Sequence, residues 1–289
     1  MLEKHPPLSR VRSVGLFLLL AASMAVGKGP NGTSPIAPSS LVFEERNGMV
    51  VIEAEHFYEQ RLTGERAWHI TTKDRVPQIE PDGDPSHIAD ASGGAYLEIL
   101  PDTRRDHGDP LVPGENFSDE PGKMAILSYK VHFNTPGTYW LWARAFCTTS
   151  EDNGLHFGID GKWPDTAKRW QTISRDRWHW QSAQRTEEVH TGVPGILTLE
   201  VPKAGQHVIE VSMREDGTSL DKILLVNRKD YTPDDHGPEP AVKSGKLPPP
   251  FEFVPAGGET ARAPRQPDGD GAVGITGELK QWHKGTLTL

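Results

Sequence analysis

About nine short segments of this chain read as strands, the first alternating apolar and polar side chains with a period of two, and none carries a convincing helical period. A chain so patterned has one economical route to a core, which is strands stacked as sheets. The segments run over 50–54, 93–100, 124–133, 138–146, 155–159, 178–181, 196–201, 208–213 and 220–226. Turn chemistry separates them. Asn134-Thr135-Pro136-Gly137 joins two long segments and predicts a hairpin, and Asp160-Gly161 has the form of a tight two-residue turn. The 29 Gly and 25 Pro favour many turns over long helices. The predicted class is all-β, an antiparallel sandwich or jelly roll.

The ends differ in character. Lys4, Arg10 and Arg12 precede an apolar run at 14–26 (VGLFLLLAASMAV). Ser23 and Ala25 are small residues suited to cleavage after Ala25, so 1–25 reads as a signal peptide and the product as secreted, extracellular or periplasmic. The run is too short for a transmembrane helix. Residues 26–41 read as a flexible leader and 42–231 as the folded module. Residues 232–274, with Pro248-Pro249-Pro250, read as a disordered Pro/Gly-rich linker, and 275–289 as the start of a second β domain. The single cysteine, Cys147, excludes an intrachain disulfide. A net charge of −9 argues against nucleic acid or an anionic membrane as partner, and the product is expected to be monomeric.

Two sets of side chains carry possible chemistry. Glu53 and Glu55 alternate along one strand onto one face, where two carboxylates repel unless a cation joins them. Asp221, at the head of the last strand, is placed to complete an all-oxygen calcium site with loop carbonyls. The alternative is a pair of exposed glutamates matched by Lys or Arg. A sugar ring needs an aromatic plate and a few directional polar groups. The aromatic candidates are Trp68, Tyr96, Trp178 and Trp180, with Trp163 and Trp170 beside them. Their polar partners would be Arg144, Asn153, Arg214, Glu215 and Asp216. For Trp178 and Trp180 core and platform roles are about evenly matched. No zinc spacing, nucleophile elbow, P-loop or dinucleotide fingerprint is present, and forty acidic residues make any chance carboxylate pair meaningless.

A set of ordered fragments adds a resemblance. Glu53-Ala54-Glu55, Gly94-Ala95-Tyr96-Leu97-Glu98, 136–144, Asp152-Asn153-Gly154, Ile159-Asp160-Gly161, Trp178-His179-Trp180, 204–207 and the closing stretch Asp216 to Ile223 together resemble carbohydrate-binding module families 6 and 35. The resemblance implies a galactose-binding-like sandwich, a structural calcium held by Glu53, Glu55 and Asp221, and noncatalytic binding of a poly- or oligosaccharide through loops. Residues 275–289 resemble the opening of a β-sandwich domain of unknown function that precedes glycosidase barrels, which implies the front part of a larger glycoside hydrolase. Two stretches depart from the pattern, the long polar loop 101–122 and an insertion at 162–177. A β-sandwich polysaccharide lyase or hydrolase and a cell-surface adhesion domain are the alternatives.

Overall fold

The structure, a computed structural model, describes Met1 and residues 32–256. The expected signal run, residues 257–274 and the second β domain at 275–289 lie outside the described residues. Among the described residues no helix is long and apolar enough to cross a membrane.

The strands are β1 (Val42–Glu44), β2 (Met49–Glu53), β3 (Glu59–Arg61), β4 (Ala67–Thr72), β5 (Ala95–Leu100), β6 (Ile126–Phe133), β7 (Gly137–Phe146) and β8 (Gly154–Ile159). They continue with β9 (Trp170–Gln171), β10 (His179–Gln181), β11 (Ala183–Gln184), β12 (Val193–Pro194), β13 (Thr198–Val201), β14 (Gly205–Met213), β15 (Ser219–Val226) and β16 (Val242–Ser244). A 9-stranded sheet runs β12-β11-β9-β8-β14-β6-β1-β16 with β3 added on β6, and a 7-stranded sheet runs β10-β7-β15-β5-β4 with β13 on β7 and β2 on β15. Pairing is antiparallel except between β1 and β6. The expected all-β sandwich is the observed fold.

Alternation decides the layers. In β7, Tyr139, Leu141, Ala143 and Ala145 face the core with Leu127, Phe133, Phe157, Ile209, Val211, Ile223 and Leu225, while Trp142 and Arg144 point to the outer face. β2 pairs with β15, Glu53 opposite Lys222, so the first long strand and the last are neighbours.

Several expectations are corrected. The hairpin expected across Asn134-Thr135-Pro136-Gly137 does not form: β6 pairs with β14, β1 and β3, and β7 with β15, β13 and β10. The turn carries the chain from one sheet to the other. Buried Glu45 fixes it, accepting from the backbone N–H of Asn134 (3.0 Å) and Thr135 (2.9 Å). Turn residues specify a reversal, and the faces buried by the two strands decide whether they pair. The Asp160-Gly161 turn does close, with both residues at positive φ and Ile159 bridged to Lys162. Glu55 is not on a strand: Ala54–His56 form a 3₁₀ turn directly after β2.

The leader and linker are also corrected where they are described. Thr33 donates its N–H to the Trp68 carbonyl (2.9 Å) and accepts from Ile70 N at its hydroxyl, and Ala37 and Leu41 are buried. Residues 232–256 form a strap that meets the outer face of the 7-stranded sheet at Trp180 and Arg144 and adds β16 to the edge of the 9-stranded sheet. β16 pairs with β1, Phe251 N donates to Gly93 O (2.8 Å), and Val254 bridges to Ala89 and is buried. The strap anchors through widely spaced apolar residues and backbone carbonyls, so it shows no periodic pattern.

Candidate ligand-binding site

Loops crowd at the edge of the sandwich where β5, β7, β9, β11 and β14 end. Between them lies an open cleft of about 640 Å³, walled by residues of 104–117, 150–153, 171–175, 185–191 and 214–215. Its size suits a small ligand or a few sugar rings.

Gly154 lets two walls approach. A Cβ there would stand 2.9 Å from Glu215 Oε2 and 3.1 Å from the Arg214 guanidinium, so a larger residue would force them apart. Arg214 pairs with Glu215 and lies 4.8 Å from the Phe117 ring centroid. Asn153 N donates to Glu215 Oε2 at 3.2 Å. Burial pushes the Glu215 carboxyl up, against the pull of Arg214. On the opposite wall Arg104 pairs with Glu151, and His107 Nδ1 lies 3.2 Å from the same carboxylate. Burial opposes ionisation of Glu151, but the Ser150 hydroxyl, Arg104 and His107 outweigh it and hold the carboxyl below its usual range.

The walls hold unfinished hydrogen bonding. Asn153 Oδ1, Gln171 Oε1, Arg104 Nε and Arg214 Nε are buried and make no hydrogen bond. Buried polar atoms without partners are costly; Arg214 Nε lies 3.6 Å from Asp119 Oδ1, and the other three around one cleft mark a surface arranged for a polar visitor. Ile173 (54 % exposed) and Leu111 (45 %) stand at the rim as apolar contacts.

Of the ligand-binding candidates read from sequence, Asn153, Arg214 and Glu215 line this cleft. Trp68 is interior and donates to Ala125 O (2.6 Å). Tyr96 is buried, and its hydroxyl accepts from His87 N (3.0 Å). Asp216 is a buried pin, paired with Arg66 (3.0 Å) and accepting from Thr103 N (2.9 Å). Trp170 is interior, and Trp163 packs against Gly158. Trp178 and Trp180 are both buried. Trp178 donates to His87 O (2.9 Å) and meets Tyr96 and Phe146 edge-on, and Trp180 donates to Asp235 O (3.1 Å) in the strap. Both stand on the outer face of the 7-stranded sheet, where with Trp142, Arg144 and Asp90 they line a second cavity of about 470 Å³ bordered by strap residues 232–235. Arg144 lies with them, bound to Asp221 (2.7 Å) and Asp90 (3.1 Å). Arg104, Gln171, Ile173, Arg175 and Arg185 were not read from sequence. The signal was present in the two departures from the family pattern, since Arg104 lies in loop 101–122 and Gln171, Ile173 and Arg175 in the insertion.

The expected calcium ligands come together in part. Asp221 is the extra residue of a bulge in the β15–β7 pairing. Its Oδ1 accepts from Ser92 N (2.8 Å) and its Oδ2 pairs with Arg144, so both oxygens are in use. Glu53 Oε1 pairs with fully buried Lys222 (2.8 Å), while Glu53 Oε2 and Glu55 Oε2 are buried without hydrogen bonds. Both glutamates line a cavity of about 300 Å³ that Glu239 of the strap also borders. Burial, opposed by Lys222, pushes Glu53 to about 7; burial and then the Glu53 charge hold Glu55 well above the carboxylate range. Among the described residues no three such side chains form a ready metal cage. Glu53 Oε2 and Glu55 Oε2 are carboxylate oxygens left without a hydrogen bond, whereas both Asp221 oxygens are taken.

Comparison with known proteins places this arrangement in context. The profile of the glycosyl hydrolase family 115 C-terminal domain matches residues 85–240. Uncharacterized protein P23 of Formosa agariphila is 47% identical over 219 residues, which make up 75% of this chain and 53% of P23. The chain thus spans about half the length of that curated relative. Among solved structures, the Podospora anserina GH26-CBM35 β-(1,4)-mannanase is similar at a TM-score of 0.36 and 16% identity, over 65% of this chain and 29% of that one. A family 35 carbohydrate-binding module from Clostridium thermocellum is similar at 0.32 and 14%, over 61% of this chain and 96% of the module. The C-terminal CBM6 of a marine laminarinase from Zobellia galactanivorans is similar at 0.32 and 15%, over 62% and 99%.

Proposed function

This chain belongs to the glycosyl hydrolase family 115 C-terminal domain family, and from that premise we propose that it is a noncatalytic module that binds a poly- or oligosaccharide for a glycoside hydrolase. The observation that carries the reading is the loop cleft with three buried polar atoms lacking partners. Asn153 and Gln171 would accept from sugar hydroxyls, the arginines would donate to ring or hydroxyl oxygens, and Ile173 and Leu111 would meet an apolar ring face. The family is described as a C-terminal domain, so the proposal is association with a hydrolase and leaves aside the order read from 275–289. Export after cleavage at Ala25, action as a monomer, and a calcium held by Glu53 and Glu55 belong to the same proposal. That ion would supply the positive charge Glu55 lacks.

A glycan array probed with the full chain tests the reading. Asn153→Ala should weaken retention of the bound glycan at least about tenfold without lowering the melting temperature. Trp178→Ala should keep binding and lose roughly 3–5 kcal/mol of stability, as expected for a buried tryptophan. If the array retains nothing, the reading fails. Release of reducing ends or unsaturated uronates by the purified chain would overturn the noncatalytic part.

A further inference from the structure

The charges of the cleft do not cancel. Arg104, Arg175, Arg185 and Arg214 line it, against the two carboxylates of Glu151 and Glu215. Both carboxylates are already engaged, Glu151 by Arg104 and His107 and Glu215 by Arg214. Arg175 and Arg185 are left with no ion pair among the described residues. One arm of Arg185 donates to the His190 carbonyl (2.7 Å), which orients the guanidinium. The surplus of cation is local, because the chain as a whole carries −9.

We propose that the saccharide taken by this cleft is anionic, with its sulfate or carboxylate held by Arg175 and Arg185. The proposal rests on the saccharide reading above and names the ligand class of that site. A guanidinium fork matches both groups, and a loop-walled cleft concentrates its field. Partial burial and the nearby charge of Arg214 already lower the Arg185 pKa, a stress that an incoming anion relieves. Two other ligand classes fit worse. A neutral sugar would leave both arginines without an ion pair, with Glu215 and Asp119 only nearby charges on Arg185. A bare inorganic anion would leave Asn153 Oδ1 and Gln171 Oε1 unsatisfied, because both are acceptors and need hydroxyl donors. Hydroxyls and an anionic group on one molecule satisfy both halves of the wall.

Calorimetric titration of the full chain with four probes tests this: an oligogalacturonate, a sulfated galactan oligosaccharide, a neutral galactan oligosaccharide of matched length, and inorganic sulfate. One or both charged oligosaccharides should bind at least about tenfold tighter than the neutral one and than sulfate, and raising salt should weaken them. The preferred arm identifies carboxylate or sulfate ester. The double variant Arg175→Gln/Arg185→Gln should lose that tenfold preference while its melting temperature stays unchanged, since Arg175 is exposed and Arg185 half-buried. Equal binding of the neutral probe would overturn the inference and leave the saccharide reading intact. So would a charge preference that survives the double substitution, or sulfate binding as tightly as the oligosaccharides. Failure of every oligosaccharide, here and on the array, would remove the saccharide reading itself.

Discussion

Glu55 is fully buried, lies beside the Glu53 carboxylate and has no ammonium or guanidinium of its own; its nearest basic group is the imidazole of His56, 3.7 Å away. Burial keeps that imidazole neutral, with its pKa lowered to about 4. An ion that binds only the folded site stabilises by mass action, by about 2.7 kcal/mol at a hundredfold excess over its dissociation constant. Chelation should therefore lower the melting temperature of the wild type, and calcium should restore it. Glu55→Gln should melt identically with and without chelator. A wild type indifferent to both chelator and calcium would mean that protonation of the glutamates, with Lys222 and Arg144, neutralises the cluster. Residue roles were legible only where neighbours in sequence settle them. Asp160 and Gly161 act within their own turn, whereas Glu45 fixes a turn 89 residues away and went unread. Arg144 meets Asp221 across 77 residues and Trp178 meets His87 across 91, separations at which residue type alone does not choose between platform and core.

At the scale of elements, the nine expected strands are all present, because each is an apolar-rich run, several with a period of two, bounded by turn residues. The strands that went unread are short or polar. β9, β11 and β12 have two residues each, and β4, Ala-Trp-His-Ile-Thr-Thr, is buried throughout despite its polar half. The strap was hidden for another reason. Its prolines favour extended backbone, and that backbone supplies acceptors, Asp235 O to Arg144 and Trp180 and His236 O to Lys222. A chain ending at Tyr231 should lose β16, the Phe251 and Val254 anchors and the cover on Trp180. Its melting temperature should fall by more than about 5 °C, the effect of a few kcal/mol in a domain this size, and tryptophan emission should shift to the red. Unchanged melting and emission would return the strap to the status of a linker.

Across the whole molecule, the sandwich carries a strap from the outer face of one sheet to the edge of the other and opens a cleft at the loop edge, and beneath that edge it buries a group of carboxylates. Asp102 is pushed to about 8 by burial and then by the charges of Asp216, Asp152, Asp84 and Asp82, and Glu98 is held well above the usual range by burial and then by Asp82, Asp84, Asp102 and Asp152. In the folded state Asp102 keeps its proton up to about pH 8, whereas the unfolded chain releases it near pH 4, so stability falls as pH rises through that window. Histidines work in the other direction. Burial lowers His87 to about 3 and His69 and His156 to about 4, so the unfolded chain takes up protons first as pH falls below about 6.5. Below pH 6.5 the two effects oppose each other; between pH 6.5 and 8 the carboxylates act alone. The melting temperature should be higher at pH 6.5 than at pH 8.5. Asp102 by itself accounts for at most about 2 kcal/mol of that difference, or several degrees. Asp102→Asn removes one charge from the cluster at an oxygen, Oδ1, that makes no hydrogen bond, so it should flatten the alkaline limb and raise stability at pH 8.5. Thermal melts of wild type and variant across pH 5–9 check this. A wild type at least as stable at pH 8.5 as at 6.5 would show that these carboxylates are ionised in the folded protein.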